Sequence, residues 1–194
     1  MDADAIVFDA FGTLFDLEAL REPLGDDRFE TFVARLVPWT WHVTAGGEFE
    51  PLPSIAHMAA GIDVADRLQA LPAFPDVRDC LDALAGARLG VLSNGTGDGI
   101  RALVRNAGLE AHFEHLLAAD QARAYKPSPA LYALAPQAFD LPRERVLLVS
   151  SNEWDIAGAK RFGLRTAWLA RGKQPSWVLG IEADLVVDSL RELT

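Results

Sequence analysis

The sequence predicts an α/β fold: a Rossmann-like parallel sheet with helices on both faces and a small helical cap inserted after the first strand. Three observations predict it. Short, continuous apolar runs recur along most of the chain, the pattern of strands buried on both faces. Stretches of about ten residues with helical periodicity lie between them, and such alternation builds a parallel sheet. The rhythm fails only over residues 16–71, where every pattern is helical.

The elements follow in order. The run 5–11 (AIVFDAF) reads as a buried strand ending at Gly12. Over 26–37 the spacing places Phe29, Phe32, Val33 and Leu36 on one helical stripe, and Pro38 is expected to interrupt that helix. Residues 52–62 and 64–72 read as short helices around Gly61. The sheet resumes near Phe74-Pro75-Asp76, so a core of 1–15 and 72–194 surrounds a cap of 16–71. In the second part, strands are predicted at 89–94, 115–120, 145–151, 166–170 and 184–189. Helices are predicted at 77–86, at 99–108 ending on a capping glycine, at 129–139 opening with a proline, and at 155–163 opening with an acid and ending on a glycine.

Composition narrows the function. The chain has 194 residues, half of them hydrophobic, enough for one α/β core with an insertion. The longest apolar runs fall short of a membrane span, and the N-terminal run lacks the basic flank of a secretory signal. Cys80 is the lone cysteine, so a reducing cytoplasm is the expected compartment. The net charge of −10 argues against nucleic acid. That excess lies wholly in residues 1–80, with 15 Asp+Glu against 5 Lys+Arg, whereas 81–194 carry 13 of each. It reads as a solvated acidic surface.

Ligand sites of such sheets lie beyond the carboxyl ends of the strands. Those ends read Asp9-Ala10-Phe11-Gly12-Thr13, Ser93-Asn94-Gly95, Asp120, Ser150-Ser151-Asn152 and Arg171. A carboxylate before a Gly-Thr turn sits at the sheet rim, where the free N–H groups after the strand can bind an anion.

Four segments resemble the haloacid dehalogenase superfamily in order and spacing. They are Asp9 to Asp16 (DAFGTLFD), Leu92-Ser93-Asn94-Gly95, Tyr125-Lys126-Pro127-Ser128-Pro129, and Val149 to Asp155 (VSSNEWD). The resemblance implies that Asp9 is a nucleophile, that the serine and Lys126 hold the transferring group, and that the last motif carries acids. Where phosphatases of the superfamily have a second aspartate, this chain has Phe11, and where they have an acid in the last motif it has Ser151. The pattern is instead similar to the L-2-haloacid dehalogenases, whose marks are Asp-Ala-aromatic-Gly-Thr and Ser-Ser-Asn-x-Trp-Asp.

That resemblance implies metal-independent dehalogenation of a small, anionic 2-haloacid to a 2-hydroxy acid through an aspartyl ester. Asp9, Lys126 and Asp155 would be catalytic, with Lys126 keeping Asp9 ionised and Asp155 orienting or deprotonating the water. Backbone N–H groups at Ala10 and Phe11, with Ser93 and Asn94, would bind the substrate carboxylate. Asn152 and Ser150 would position Lys126 and Asp155, Tyr132 would stand on the substrate side, and Thr13 would hold the Asp9 loop. No cofactor is expected. A magnesium-dependent phosphatase, holding Mg²⁺ on Asp9 and Asp155, is one alternative, and a catalytically degenerate binding protein is another. A homodimer is left open.

The cap departs from that pattern. These dehalogenases carry an arginine on the first cap helix, facing the leaving halide. Counting back from Trp39-Thr40-Trp41 places Val33 at its position. Arg35 lies roughly 200° further round the helix, and His42 is the other cation nearby.

Overall fold

A computed structural model describes residues 3–193 of the chain. Six strands form one sheet: β1 (Ala5–Phe8), β2 (Arg88–Ser93), β3 (His115–Ala118), β4 (Val146–Ser150), β5 (Arg165–Leu169) and β6 (Leu185–Val187). All pair in parallel in the order β3-β2-β1-β4-β5-β6. β1 is central and every residue of it is buried, with Phe8 registered against Val91 on one side and Val149 on the other. This is the α/β fold that the alternating runs predict.

Four helices lie between β1 and the next core helix: α1 (Arg21–Leu24), α2 (Asp26–Ala45), α3 (Leu52–Ala60) and α4 (Ala65–Leu68). Then come α5 (Val77–Ala83), α6 (Gly97–Asn106), α7 (Ala119–Ala122), α8 (Pro129–Tyr132), α9 (Leu134–Phe139) and α10 (Glu153–Phe162). Among the described residues no helix is long and apolar enough to cross a membrane.

The helical insertion leaves and re-enters the core side by side. Asp16 N–H donates to the Pro72 carbonyl at 2.9 Å, Phe74 N–H donates to the Leu14 carbonyl at 3.0 Å, and Phe15 and Ala73 form an antiparallel bridge. Farther out the insertion folds back onto the core. Thr44 Oγ1 accepts from Tyr125 N–H at 3.0 Å, Phe49 stacks on the Tyr125 ring at 5.3 Å, and Trp41 meets Trp154 edge-on at 5.8 Å. Phe29, Phe32 and Ile55 of the insertion share one buried apolar cluster with Phe8, Leu14 and Val91 of the core.

Several boundaries differ from the sequence reading. Pro38 does not interrupt the cap helix; α2 runs for 20 residues straight through it. The buried stripe Phe29, Phe32, Leu36, Thr40 continues past the proline, and Thr40 Oγ1 donates to the Val37 carbonyl at 2.7 Å. That packing offsets a missing helix hydrogen bond, which otherwise costs about 3 kcal/mol. The single helix expected at 129–139 is broken at Ala133 into α8 and α9. The break puts Pro136 in the first turn of α9, where no N–H is needed. The helix expected at 64–72 closes after Leu68. The first run stops as a strand at Phe8 because the Ala10 carbonyl collects the N–H groups of Leu14 and Phe15 and turns the chain. Asp120 belongs to α7 and accepts from Gly97 N–H at 3.1 Å, so it serves the start of α6 and not the central strand ends.

Candidate active site

Asp9 is the first residue beyond β1, with its N–H still bonded to the Val149 carbonyl at 2.9 Å. The backbone then turns at Gly12, whose φ of +80° is a region side chains avoid. The turn aims Thr13 back at Asp9: Thr13 Oγ1 lies 3.1 Å from Asp9 Oδ2 and accepts from Ser151 N–H at 2.9 Å. Ser151 Oγ donates to the Gly12 carbonyl at 2.8 Å, which ties the start of the 151–155 loop to the same turn.

Lys126 arrives from the loop after α7, fixed by its backbone N–H donating to Asn94 Oδ1 at 2.8 Å. Its side chain is completely buried. Nζ lies 3.0 Å from Asp9 Oδ1 and 2.7 Å from Asp155 Oδ2. Asp155, in the first turn of α10, is equally buried. Its Oδ1 accepts from the Tyr132 hydroxyl at 2.8 Å. Asn152 Nδ2 donates to Asp9 Oδ2 at 3.1 Å. Three residues drawn from three separate segments therefore form an ionic triad, with the Lys126 ammonium between the carboxyl groups of Asp9 and Asp155.

Electrostatics follow from burial and neighbours. Burial pushes the Asp9 carboxyl above the usual carboxylate range; Lys126 opposes this, while the charge on Asp155 adds to it. Burial alone would lower Lys126, but Asp155 and Asp9 outweigh it and hold the ammonium above the ordinary lysine value. Burial, reinforced by Asp155, raises the Tyr132 phenol well above its usual range, so it stays a proton donor.

The donor set does not fit a magnesium ion. Each of the four carboxylate oxygens of Asp9 and Asp155 already accepts from Lys126, Thr13, Asn152 or Tyr132. Phe11 and Ser151 add no carboxylate, whereas Mg²⁺ wants several hard oxygens in near-octahedral geometry. Among the described residues no three His, Cys, Asp or Glu gather in a metal-holding group.

The remaining expected site residues fall into two sets. Ala10, Phe11, Thr13, Asn94 and Asn152 surround the triad, and no acceptor among the described residues takes the N–H of Ala10 or Phe11. Ser93 and Ser150 shape turns, their Oγ atoms accepting from Gly95 N–H at 3.1 Å and Asn152 N–H at 3.2 Å. Ser150 makes no bond to Lys126 or Asp155. Tyr132 is fully buried, with its hydroxyl on Asp155. The close approach that puts it there explains Gly158, where an added Cβ would lie 2.6 Å from both the Tyr132 hydroxyl and Pro127 Cβ.

Sequence reasoning missed a second ring of residues. Asp76 and Arg171 brace the Thr13 turn from behind, 95 positions apart in the chain. Arg171 was visible as a polar strand end, but nothing in the sequence marks Asp76 as its partner. On the cap, Val33 is 44% exposed, on the same edge of α2 as Trp41 and Thr44. Arg35 is exposed with its guanidinium 5.5 Å from the Trp39 ring, and His42 is exposed too. None of the three brings a cation to Asp9.

Comparison with known proteins agrees with this geometry. Residues 46–163 match the family model of haloacid dehalogenase-like hydrolases. Haloacetate dehalogenase H-2 of Moraxella sp. (strain B) is 34% identical over 192 residues, covering 87% of this chain and 86% of that protein. (S)-2-haloacid dehalogenase 2 of Pseudomonas sp. (strain CBS-3) is 30% identical over 212 residues, covering 97% and 93%. Among solved structures, the L-2-haloacid dehalogenase of Xanthobacter autotrophicus with chloropropionic acid covalently bound superposes with a TM-score of 0.89 at 28% identity, covering 98% of this chain and 96% of that one.

Proposed function

The chain belongs to the haloacid dehalogenase-like hydrolases, and on that footing we propose that it hydrolyses the carbon–halogen bond of a small 2-haloacid without a metal, through an ester on Asp9. The buried Asp9–Lys126–Asp155 triad is the observation that carries the reading. A cation enclosed between two carboxylates is costly to bury and serves packing poorly.

The chemistry balances with this chain's own groups. One Asp9 carboxylate oxygen attacks C2 of the substrate as the C–halogen electron pair leaves with the halide. Lys126 keeps Asp9 ionised, and Thr13 and Asn152 fix the carboxylate plane. The N–H groups of Ala10 and Phe11 meet the substrate carboxylate, offsetting the net negative charge of the triad. Esterification removes the Asp9 charge and leaves Lys126 paired with Asp155 alone. Water then adds to the Asp9 ester carbonyl. Asp155 takes its proton with acceptor capacity not used by Lys126 and Tyr132. The 2-hydroxy acid departs and Asp9 is restored; overall, haloacid and water become hydroxy acid, halide and a proton. Halide is a stable leaving anion, so the hydrophobic Phe11 at the position of an acid is no obstacle.

A single turnover with L-2-chloropropionate in ¹⁸O-water tests this. Label in the Asp9 carboxylate, halide release insensitive to EDTA, and loss of both in Asp9→Asn are the expected results. Halide release with label only in the product would overturn the ester route. A second reading draws on Val33, Arg35 and His42, which leave the halide without a cation; such a chain would bind haloacids and release no halide.

A further inference from the structure

Arg171 stands just past β5 with a φ of +49°, a left-handed backbone that a non-glycine residue holds only when its surroundings enforce it. Its contacts say what enforces it. Nη2 donates to the Thr13 carbonyl at 2.9 Å, in the turn leading to the insertion. Nη2 and Nη1 pair with the two oxygens of Asp76 at 3.1 and 3.3 Å, in the turn that leads back into the core. The guanidinium also lies 3.9 Å from the centre of the Phe74 ring. Asp76 is buried and further fixed by Ser189 Oγ and Leu190 N–H, both at 3.0 Å. A flat, multi-donor guanidinium spans both segments at once, which a lysine ammonium cannot do.

We propose that Arg171 is a positioning residue that clamps the two segments joining insertion and core and, through the Thr13 carbonyl, seats the Thr13 hydroxyl on Asp9. The route is short: Arg171 holds the Thr13 backbone, and the Thr13 side chain holds Asp9 Oδ2. Cap attachment and nucleophile orientation thus meet in one side chain. This deepens the reading of Asp9 as the reacting carboxylate and rests on it.

The test compares Arg171→Lys, Asp76→Asn and Ser189→Ala. Asp76→Asn releases the guanidinium while keeping it, which covers the case in which Arg171→Lys folds badly. Ser189→Ala loosens the same aspartate without touching Thr13. The first readout needs no substrate: a ¹³C-aspartate titration, with the Asp9 signal assigned by its loss in Asp9→Asn. Loosening Thr13 removes a hydrogen bond to the charged form, so the Asp9 midpoint should rise by about 0.5 pH unit or more in the first two variants. The Ser189→Ala midpoint should not move. The second readout is halide kinetics, where kcat should fall about 10- to 100-fold with KM nearly unchanged. An unmoved Asp9 midpoint in folded Arg171→Lys and Asp76→Asn overturns the proposal, as does an equal shift in Ser189→Ala. Wild-type protein that releases no halide sinks the dehalogenase reading instead, and leaves the titration to decide the role of Arg171.

Discussion

Replacing Lys126 with methionine isolates the energetics of the triad. Methionine keeps much of the side-chain volume and removes only the charge. At an effective dielectric of about 20, contacts of 3.0 and 2.7 Å correspond to roughly 5–6 kcal/mol of gross attraction each. Desolvation of each ion opposes that by several kcal/mol, and deleting one partner of such a buried pair leaves a net loss of about 3–5 kcal/mol. For a chain of this size that lowers Tm by about 6–20 °C. The sign with pH follows. Burial already holds Asp9 above its unfolded value, and removing the ammonium that opposes this raises it further, so the folded state binds that proton more tightly. The deficit is therefore largest above the raised Asp9 value and shrinks as pH falls through it. Thermal unfolding followed by circular dichroism at pH 7.5 and pH 5 measures it. A loss below about 1 kcal/mol, or an equal loss at both pH values, would refute the placement of one cation between two ionised carboxylates.

Other outcomes follow from the same geometry. Because burial raises Asp9, the acid limb of the pH–rate profile should lie above the usual carboxylate range, with activity growing as pH rises through it; a midpoint near that of a free aspartate would contradict this. Gly158→Ala should displace the Tyr132 hydroxyl from Asp155 and destabilise by about 1–3 kcal/mol, read by denaturant unfolding alongside halide release. Tyr132→Phe should slow ester hydrolysis more than ester formation, since it strips a donor from Asp155 alone; mass spectrometry should show the Asp9 ester accumulating. Val33→Arg should speed halide release by placing a cation on the α2 edge shared with Trp41 and Thr44; an unchanged rate would mean that edge does not face the leaving group.

The central strands were readable because they are buried on both faces, which leaves an uninterrupted apolar run bounded by glycine or polar residues. Asp9 was readable as a strand end before a Gly-Thr turn, but its role and that of Lys126 came from four segments that resemble the haloacid dehalogenases in order and spacing. Roles that depend on three-dimensional direction were not readable. The spacing of Tyr132 from Lys126 does not show that its hydroxyl meets Asp155; the close approach of α10 at Gly158 sets that contact. Pro38 reads as a helix end by local rules, yet packing along Phe32, Leu36 and Thr40 carries α2 through it. Asp76 and Arg171 each look like ordinary surface charges, because their partnership closes a loop of 95 residues that no periodicity reports.

The antiparallel bridge between Phe15 and Ala73 brings the entry and exit of the helical insertion into contact. Loop-closure entropy grows only slowly with length once two ends are held together. Residues can therefore be added to or trimmed from the helices beyond that gate without shifting the register of any strand. The sheet with its polar rim is in this sense a fixed chassis, and the outer insertion is the part of the chain whose length is free to vary.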